Sequence, residues 1–259
     1  MQTDFDFSYH QPSPDGVRAA LPVMFADSVP QSLLDVGCGT GTWIRAALDL
    51  GIDDVLGVDG DELASNQLLF PRGKYRRQNL EHSFDLGRKF EIAICLEVGE
   101  HLEEEYARVL VTSLVQHADL VYFSAACPGQ AGPGHINCQW PAYWQRMFNA
   151  EGYVCDDSVR WRLWDLTALE FWYRQNLFLA RRAPERAGRE PRIRPVIHPQ
   201  MLELGNGCPV DDLRSRWRNS IEAGSQSVGW YLSTTARAFS HKLARKISSR
   251  QPNSLNGNQ

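Results

Sequence analysis

The sequence predicts an α/β fold in which helices cover both faces of a mostly parallel sheet. Strand-like and helix-like patterns alternate across about residues 35–125, as in consecutive strand–helix–strand units. The strand-like runs are apolar throughout, which is typical of strands buried on both faces. The first run stops at a glycine-rich segment, and Gly51 closes the helix pattern that follows, as glycine commonly does at a helix end.

Seven segments have the length and apolar content of strands, and an aromatic-rich segment separates the last two. The predicted strands are Ser32–Val36, Val55–Asp59, Lys74–Gln78, Phe90–Leu96, Leu120–Ser124, Gly152–Cys155 and Asn176–Ala180. Helical spacing of apolar residues predicts helices over Gly16–Leu21, Trp43–Leu50, Glu62–Leu69, Glu103–His117 and Trp140–Ala150.

Length and composition indicate one globular domain with an appendage. The 259 residues are 43% apolar and 22% charged. No apolar run reaches the roughly 18 residues that a membrane-spanning helix needs. The acidic first residues lack the apolar core of a secretory signal. The six cysteines are scattered along the chain, which favours a reducing, cytoplasmic location.

Charge is distributed unevenly along the chain. Residues 1–182 contain 15 Lys and Arg against 25 Asp and Glu, whereas residues 183–259 contain 12 against 6. We therefore predict a main domain over 1–182 and a basic extension over 183–259. The extension begins with a linker rich in proline and charge at 183–199.

The basic extension contains two helix-like segments, Asp211–Glu222 and Gly229–Ile247, and its last nine residues are predicted to be disordered. The amphipathic second segment is expected to pack or to oligomerise, which suggests a homodimer. Contact with a membrane surface or a nucleic acid is the alternative. Broad contact with nucleic acid is not expected, because the main domain is acidic.

The segment after the first predicted strand is the strongest motif in the chain. Gly37, Gly39 and Gly41 lie between Asp35 and the next helix pattern, so the backbone can approach a ligand closely beside a helix N-terminus. A dinucleotide fingerprint has the spacing G-x-G-x-x-G. Here the third glycine comes one position early and an acid precedes the loop, so a different ligand is indicated.

Two acidic residues favour a ligand that carries positive charge and a ribose. Asp35, just before the loop, can hold a cationic group directly or through water. Asp59 lies 24 residues later, at the end of the second predicted strand, and can accept hydrogen bonds from both ribose hydroxyls. The alternative for Asp59 is a turn residue in the run Asp59-Gly60-Asp61.

The segment Leu34–Gly41 resembles the first motif of the class I S-adenosyl-L-methionine (SAM)-dependent methyltransferases. Val58-Asp59 resembles the second motif. Phe90–Leu102 resembles the strand-four motif of the small-molecule branch, typified by the ubiquinone-pathway O-methyltransferases. The resemblance covers roughly residues 30–182. It implies SAM as the cofactor and a Rossmann-like, seven-stranded sheet whose last strand is antiparallel.

The resemblance also implies a cofactor site at the carboxyl edge of the sheet. One departure concerns the adenine side, where many relatives have Asp-Leu after the third strand and this chain has Asn79-Leu80. Asn79 can still accept a hydrogen bond from the adenine amino group. The predicted cofactor-binding residues are Asp35, Gly37, Cys38, Gly39, Thr40, Gly41, Asp59, Gly60, Asn79, Leu80, Leu96 and Glu97.

Two histidines follow strands at the same edge of the sheet. His101 comes after the fourth predicted strand, and His135 lies in a glycine-rich loop after the fifth. Methyl transfer from a sulfonium is an in-line displacement, and a hydroxyl acceptor benefits from a base such as histidine. We predict His135 and His101 as catalytic residues. The alternatives are a loop-capping role for His101 and a backbone hydrogen bond for His135.

The sequence shows no recognisable metal site. The spacing of Cys127, His135 and Cys138 matches no standard zinc pattern. The acidic cluster of the magnesium-dependent O-methyltransferases is not recognisable either. The sequence therefore predicts a metal-independent enzyme.

Aromatic residues are dense after the His135 loop. Most are expected in the core, and a few are expected to line a pocket for a planar or sugar-like acceptor. The stretch Gly134–Trp144 resembles bacterial methyltransferases from glycan and natural-product clusters. The aromatic set is Trp140, Tyr143, Trp144, Phe148, Trp161, Trp164, Phe171, Trp172 and Tyr173.

The leading functional hypothesis is methyl transfer to a hydroxyl of a small acceptor, a sugar or a specialised metabolite. N-methylation of a small amine is the alternative, and it would give Glu97 and Glu100 a larger role. Two further alternatives are a macromolecule-directed methyltransferase that docks through the basic extension and a SAM-binding module without catalytic activity.

Overall fold

The computed structural model describes residues 11–26, 28–60, 63 and 66–203. Within this part of the chain, seven strands form one sheet. They are β1 (Ser32–Val36), β2 (Asp54–Asp59), β3 (Tyr75–Arg77), β4 (Ile92–Leu96), β5 (Leu120–Ser124), β6 (Tyr153–Asp156) and β7 (Phe178–Arg182).

The strand order in the sheet is β3-β2-β1-β4-β5-β7-β6. Strand β7 is antiparallel to both of its neighbours, β5 and β6, whereas the neighbouring pairs from β3 to β5 are parallel. This confirms the predicted α/β class and the seven-stranded, mostly parallel sheet with an antiparallel last strand. The order reverses between β1 and β4, where sheets of this type open a ligand-binding crevice.

Helices lie on both faces of the sheet, as predicted. In the described residues they are α1 (Pro14–Met24), α2 (Thr42–Asp49), α3 (Ala107–His117), α4 (Pro141–Ala150), α5 (Ser158–Leu163), α6 (Phe171–Asn176) and α7 (Pro199–Glu203). Helices α1, α2 and α5 share one apolar core, and α3 and α4 share a second. Leu33 belongs to the first core and Leu34 to the second, because successive strand residues point to opposite faces.

Four of the five helices predicted in the main domain are present as α1 to α4. The helix predicted over Glu62–Leu69 is not found: residues 61, 62, 64 and 65 lie outside the described residues, and residues 66–69 form a turn and a bend. The main-chain N–H of Leu69 donates to Thr40 O at 2.9 Å, so this turn is tied to the glycine loop instead. Helices α5, α6 and α7 were not predicted, because five or six residues are too few to show a helical period.

Residues 183–203 pack against the sheet and its helices. Glu190 Oε1 accepts hydrogen bonds from Gln145 Nε2 at 3.0 Å and from Cys155 N at 3.1 Å. The main-chain N–H of Ile193 donates to Gln145 Oε1 at 2.8 Å, and Ile193 and Met201 are buried. The domain boundary at residues 182 and 183 stays a prediction.

The predicted helices Asp211–Glu222 and Gly229–Ile247 lie outside the described residues, as do the last nine residues. The homodimer predicted from this extension therefore stays a prediction. Among the described residues, no helix has the length and apolar content that a membrane crossing requires.

Candidate active site

A glycine-rich loop joins β1 to α2 at the carboxyl edge of the sheet. Gly37, Gly39 and Gly41 have φ values of 78°, 50° and 90°, in the left-handed region that residues with side chains rarely adopt. The main-chain N–H groups of Gly37 and Cys38 donate to Val58 O at 2.8 and 3.2 Å. The loop is therefore held against the end of β2.

Gly41 packs too closely against a neighbour to accept a side chain. A Cβ at this position would lie 2.2 Å from the Phe70 ring. The φ value of 90° is a second obstacle, because residues with a side chain rarely adopt it. We expect Gly41→Ala to lower the free energy of unfolding by about 2 kcal/mol or more, as measured by chemical denaturation.

Gly51, just after α2, provides a matched control for this change. Its φ value is 92°, but nothing lies within 4 Å of an added Cβ. Gly51→Ala should therefore cost only the backbone strain, about 1–2 kcal/mol. Equal losses of stability in the two variants would contradict the contact assigned to Phe70.

Asp59 is the last residue of β2 and lies beside the glycine loop. Its Oδ2 accepts a hydrogen bond from Gly39 N at 2.8 Å. Asp59 and Gly60 both line the cavity described below. The loop therefore positions the Asp59 carboxylate at the edge of that cavity.

Asp35 lies within β1 and is only 2% exposed. Its Oδ2 has no hydrogen-bond partner among the described residues. Burial raises the pKa of Asp35 well above its ordinary value, and the nearby Asp59 raises it further. A cationic ligand would favour the ionised carboxylate and give the unpaired oxygen a partner.

A cavity of about 560 Å³ opens at the carboxyl ends of β1, β2 and β4. Its described lining contains five acidic side chains and two histidines, but no Lys or Arg. A cavity of this composition favours positively charged ligands. Every predicted cofactor-binding residue except Gly41 lines it, together with His101 and His135. Gly41 lies at the N-terminus of α2, against Phe70.

Asn79 and Leu80 line the side of the cavity where the adenine ring is predicted. Asn79 Oδ1 accepts a hydrogen bond from Glu81 N at 2.9 Å, which forms a local turn. An amide oxygen has two lone pairs, so this contact leaves one for a ligand. The adenine contact of Asn79 stays a prediction.

Glu97 follows β4 and has a φ value of 57°, which is uncommon for a residue with a side chain. Its carboxylate accepts hydrogen bonds from Gln130 Nε2 at 2.8 Å and from Asn176 Nδ2 at 3.2 Å. Asn176 Nδ2 also donates to Gln130 Oε1 at 2.8 Å. Desolvation raises the pKa of Glu97, and these amide donors oppose the rise. Two amides thus hold one carboxylate in place.

Sequence reasoning missed Gln130 and Asn176. Gln130 lies in the loop that carries His135. The unusual composition of that loop was the sequence signal that could have identified Gln130. The sequence pattern places Asn176 in the last predicted strand, whereas it ends α6. No local pattern indicates that Asn176 meets Glu97, which is 79 positions away.

His101 and His135 lie side by side. His101 ends a 3₁₀ turn, Gly99–His101, and its Nδ1 lies 3.2 Å from Gly134 O. His135 Nδ1 lies 3.0 Å from Gln130 O. The two rings meet edge to face, with centroids 5.0 Å apart. The fold therefore brings together the two histidines predicted at this edge, and the backbone contact expected as the alternative for His135 is present.

The loop that carries His135 folds over the turn that carries His101. The main-chain N–H groups of Ile136 and Asn137 donate to Glu100 O at 2.9 and 3.0 Å. A Cβ at Gly132 would lie 2.2 Å from the His135 ring. The glycine at this position gives the ring the space it occupies.

Glu100 is completely buried in the same turn. Neither of its carboxylate oxygens has a partner in strict hydrogen-bonding geometry among the described residues, but the main chain of Ala126 and the Glu97 carboxyl lie close enough to interact with it. Burial raises the pKa of Glu100 well above its ordinary value, and the neighbouring Glu97 raises it further. The sequence singled out Glu100 only as an acid for an amine acceptor, and its burial beside two histidines is visible only in the fold.

Three aromatic residues of α6 line the cavity: Phe171, Trp172 and Tyr173. The Tyr173 ring meets Trp43 edge to face, with centroids 5.4 Å apart. Trp144 and Phe148 are instead buried in the core, at 1% and 0% exposure. The expectation that a few members of the aromatic set line a pocket is met, but only four of the nine are buried and Trp161 is 51% exposed, so most of the set is not fully in the core.

A family comparison defines the class of the protein. A family model described as Methyltransferase domain matches residues 11–157, more than half of the chain, so the chain belongs to this family. It is a class I SAM-dependent methyltransferase, and SAM is its cofactor. The closer resemblance to the ubiquinone-pathway enzymes stays a prediction.

Solved structures with a similar fold have low sequence identity to the chain, and no curated protein sequence matches it. The SAM-bound magnesium protoporphyrin IX methyltransferase of Synechocystis PCC 6803 has a TM-score of 0.49 and 20% identity, over 71% of this chain and 86% of that chain. DesVI of Streptomyces venezuelae has a TM-score of 0.46 and 17% identity, over 66% and 91%. The sugar N-methyltransferase KedS8 of Streptoalloteichus sp ATCC 53650 has a TM-score of 0.43 and 17% identity, over 66% and 85%. These similarities leave the methyl acceptor open.

Proposed function

We propose that the protein transfers the methyl group of SAM to a hydroxyl of a small acceptor, a sugar or a specialised metabolite. The observation that carries this proposal is the convergence of His101 and His135 in the cavity that also contains the glycine loop. A volume of about 560 Å³ lies in the range of small-molecule sites. The acceptor class suits an enzyme of glycan or natural-product biosynthesis.

The residues at the β1 and β2 end of the cavity suit SAM by charge and shape. The unpaired oxygen of Asp35 complements a cationic group. Asp59 offers carboxylate oxygens to the ribose hydroxyls, and Gly39 N holds that carboxylate in place at 2.8 Å. The glycines at 37 and 39 leave the loop without side chains of its own, so its main chain can approach the cofactor.

When bound, SAM supplies a methyl group on a sulfonium, and the carbon–sulfur bond breaks with its electron pair on sulfur as the acceptor oxygen bonds to carbon. In the metal-free protein, His101 or His135 takes the proton from the acceptor hydroxyl. The Nδ1 atoms of both rings face main-chain carbonyls, which only accept, so Nδ1 carries the hydrogen and Nε2 carries the lone pair. Such a base contributes about 10²–10⁴-fold to the rate.

One observation favours N-methylation of a small amine as the second candidate. The cavity lining combines five acidic side chains with no Lys or Arg among its described residues. Glu97 and Glu100 would attract a protonated amine. Paired acceptors that differ only in an amine or a hydroxyl would separate the two candidates.

We also place the protein in the cytoplasm. Cys38, Cys95, Cys127, Cys138 and Cys155 are free thiols. Burial raises the pKa of Cys127 to about 12 and that of Cys138 to about 11, which keeps both as unreactive thiols at neutral pH. Free, unreactive thiols suit a reducing compartment.

The first test of the proposed function is calorimetric titration with S-adenosylhomocysteine, the demethylated product of SAM, with NADH as the control. We expect a micromolar dissociation constant for S-adenosylhomocysteine and no heat from NADH, because the loop lacks dinucleotide spacing and the cavity is acidic. Binding of NADH, or of neither ligand, would contradict the proposed cofactor site.

A screen of acceptors with labelled SAM then tests the reaction. We expect label transfer to small hydroxylated compounds and little or no transfer to the corresponding amines. Transfer to the amines alone would replace the O-methylation proposal with N-methylation.

A further inference from the structure

Glu100, His101 and His135 form one cluster on the wall of the cavity. One nitrogen of each imidazole and one carboxylate oxygen of Glu100 lie within 4.8 Å of one another. We propose that these three side chains bind one divalent first-row transition-metal ion, and that this ion holds the methyl acceptor by its oxygen atoms. The second part of this proposal rests on the proposed O-methylation.

The distances within the cluster suit a metal site that is close to its bound geometry. Ligand atoms at about 2.1 Å from one zinc-like ion are at most about 4.2 Å apart. A spread of up to 4.8 Å therefore needs only small side-chain movements to reach a common ion. Glu100 and His101 are adjacent on one turn, and the main chain of Glu100 also anchors the His135 loop through Ile136 and Asn137.

The hydrogen bonds of the two imidazoles are those of metal-binding histidines. The Nδ1 atoms of His101 and His135 lie 3.2 and 3.0 Å from the carbonyl oxygens of Gly134 and Gln130. A backbone carbonyl at Nδ1 fixes the tautomer and leaves the Nε2 lone pair as the ligand, an arrangement found around most metal-binding histidines.

The electrostatics of the cluster also indicate a cation. Glu100 is fully buried, and its carboxyl lies beside that of Glu97. The neighbouring Glu97 adds a second acid, and the described lining of the cavity offers no Lys or Arg to either. Two buried acids without a cation are costly, and a bound dication would offset that cost.

The donor set indicates the kind of ion. Two imidazole nitrogens and one carboxylate oxygen suit Zn²⁺, Co²⁺, Mn²⁺ or Fe²⁺, whereas Mg²⁺ prefers oxygen ligands alone. Three protein ligands leave coordination positions open for a substrate. An acceptor with oxygens on two adjacent carbons, such as a vicinal diol, fills two open positions at once, and we assign this class of acceptor to the site.

An ion in this position activates the acceptor hydroxyl. A metal-bound hydroxyl has a lowered pKa, so it releases its proton to water, and its oxygen then forms the bond to the methyl carbon as the carbon–sulfur bond breaks. His101 and His135 then act through the ion instead of taking the proton directly. This proposal replaces the metal-independent enzyme that the sequence predicts, because the three ligands share no sequence spacing known for metal sites.

The test is titration of metal alone into the full, tag-free chain after removal of metals with EDTA, without SAM or acceptor. We expect calorimetry to show one Co²⁺ per chain, with a visible d–d absorption band that is shifted and intensified relative to that of hydrated Co²⁺. Glu100→Gln and His135→Asn should each weaken Co²⁺ binding at least 100-fold. The matched controls Glu103→Gln and His82→Asn, at exposed positions, should bind Co²⁺ as the wild type does.

Two results would overturn the site: no stoichiometric binding of Co²⁺, Mn²⁺ or Zn²⁺ by the wild type, or wild-type affinity in both site variants. Thermal unfolding identifies the variants that are folded, and Glu100→Gln keeps the size of the side chain. Because no cofactor is present, this result does not depend on whether the protein methylates a hydroxyl.

A turnover assay tests the role assigned to the ion. We expect EDTA to abolish methylation of a vicinal diol, and added Co²⁺ or Mn²⁺ to restore it in the wild type but not in Glu100→Gln. Turnover that is insensitive to EDTA would overturn this role. Stoichiometric metal binding with transfer only to amines would instead contradict the proposed O-methylation and leave the ion site supported.

Discussion

Replacement of Asp59 by alanine is expected to weaken S-adenosylhomocysteine binding by roughly 100-fold. Hydrogen bonds to a charged group contribute about 1.5–3 kcal/mol each, and about 1.4 kcal/mol corresponds to a tenfold change in affinity. The Asp59 side chain also accepts from Gly39 N at 2.8 Å, so the variant loses the positioning of the loop as well. Calorimetric titration measures the effect.

The fold should survive this change. Asp59 raises the pKa of the buried Asp35, so its removal takes away a like charge from the edge of the sheet. Asp54→Ala is the matched control, because Asp54 begins the same strand at the opposite edge of the sheet and is about half exposed. Unchanged affinity in a folded Asp59→Ala protein would rule out the ribose contact.

Asp59→Asn separates the two roles of this side chain. An asparagine keeps one oxygen that can accept from Gly39 N but loses the negative charge. We expect its affinity to lie between those of the wild type and Asp59→Ala. An affinity equal to that of Asp59→Ala would indicate that charge alone matters at this position.

The second large effect is expected from the double variant His101→Ala/His135→Ala. We expect kcat to fall by about 10²–10⁴-fold, the usual contribution of a positioned acid or base. S-adenosylhomocysteine affinity should change little, because the glycine loop and Asp59 are untouched. Steady-state kinetics and calorimetry on the same preparations measure the two quantities.

The single variants and added metal show how the histidines act. If one imidazole is the base, only one single variant loses most of the activity, and EDTA has no effect on the wild type. If both bind an ion, each single variant loses activity. His82→Asn, at an exposed position, should retain wild-type kcat. Near wild-type turnover in the double variant would exclude both histidines from the reaction.

The sequence predicts the sheet well because the relevant signals are local. Each predicted strand corresponds to a strand of the fold, and every end differs from the predicted end by at most two residues. A buried parallel strand needs a short apolar run and nothing distant. The exceptions are short helices such as α6, where Asn176 ends a helix although the pattern placed it in a strand.

The cofactor end of the site is also readable from the sequence. The positive φ values of the loop demand glycine at particular positions, and a parallel pairing of β1 with β2 brings Asp35 and Asp59 to neighbouring strands. The glycine positions and the strand pairing both require a fixed spacing of residues along the chain. The first and second motifs contain that spacing.

The acceptor end of the site depends on contacts between distant segments. Gln130 and Asn176 meet at Glu97 from two separate elements, and the His135 loop closes on Glu100 through two main-chain hydrogen bonds. No periodicity encodes such contacts, since they arise only when loops after β4 and β5 and the helix α6 fold over one edge of the sheet.

The sequence by itself determined the class of fold, the glycine loop, and the acids Asp35 in β1 and Asp59 at the end of β2, because backbone conformation and strand burial act on neighbouring residues. Only the tertiary structure decided that Glu100 is buried beside Glu97 and that His101 and His135 lie with it in one cluster. Burial and charge proximity are properties of the packed chain. These two properties determine which ligand the acceptor end of the cavity can bind.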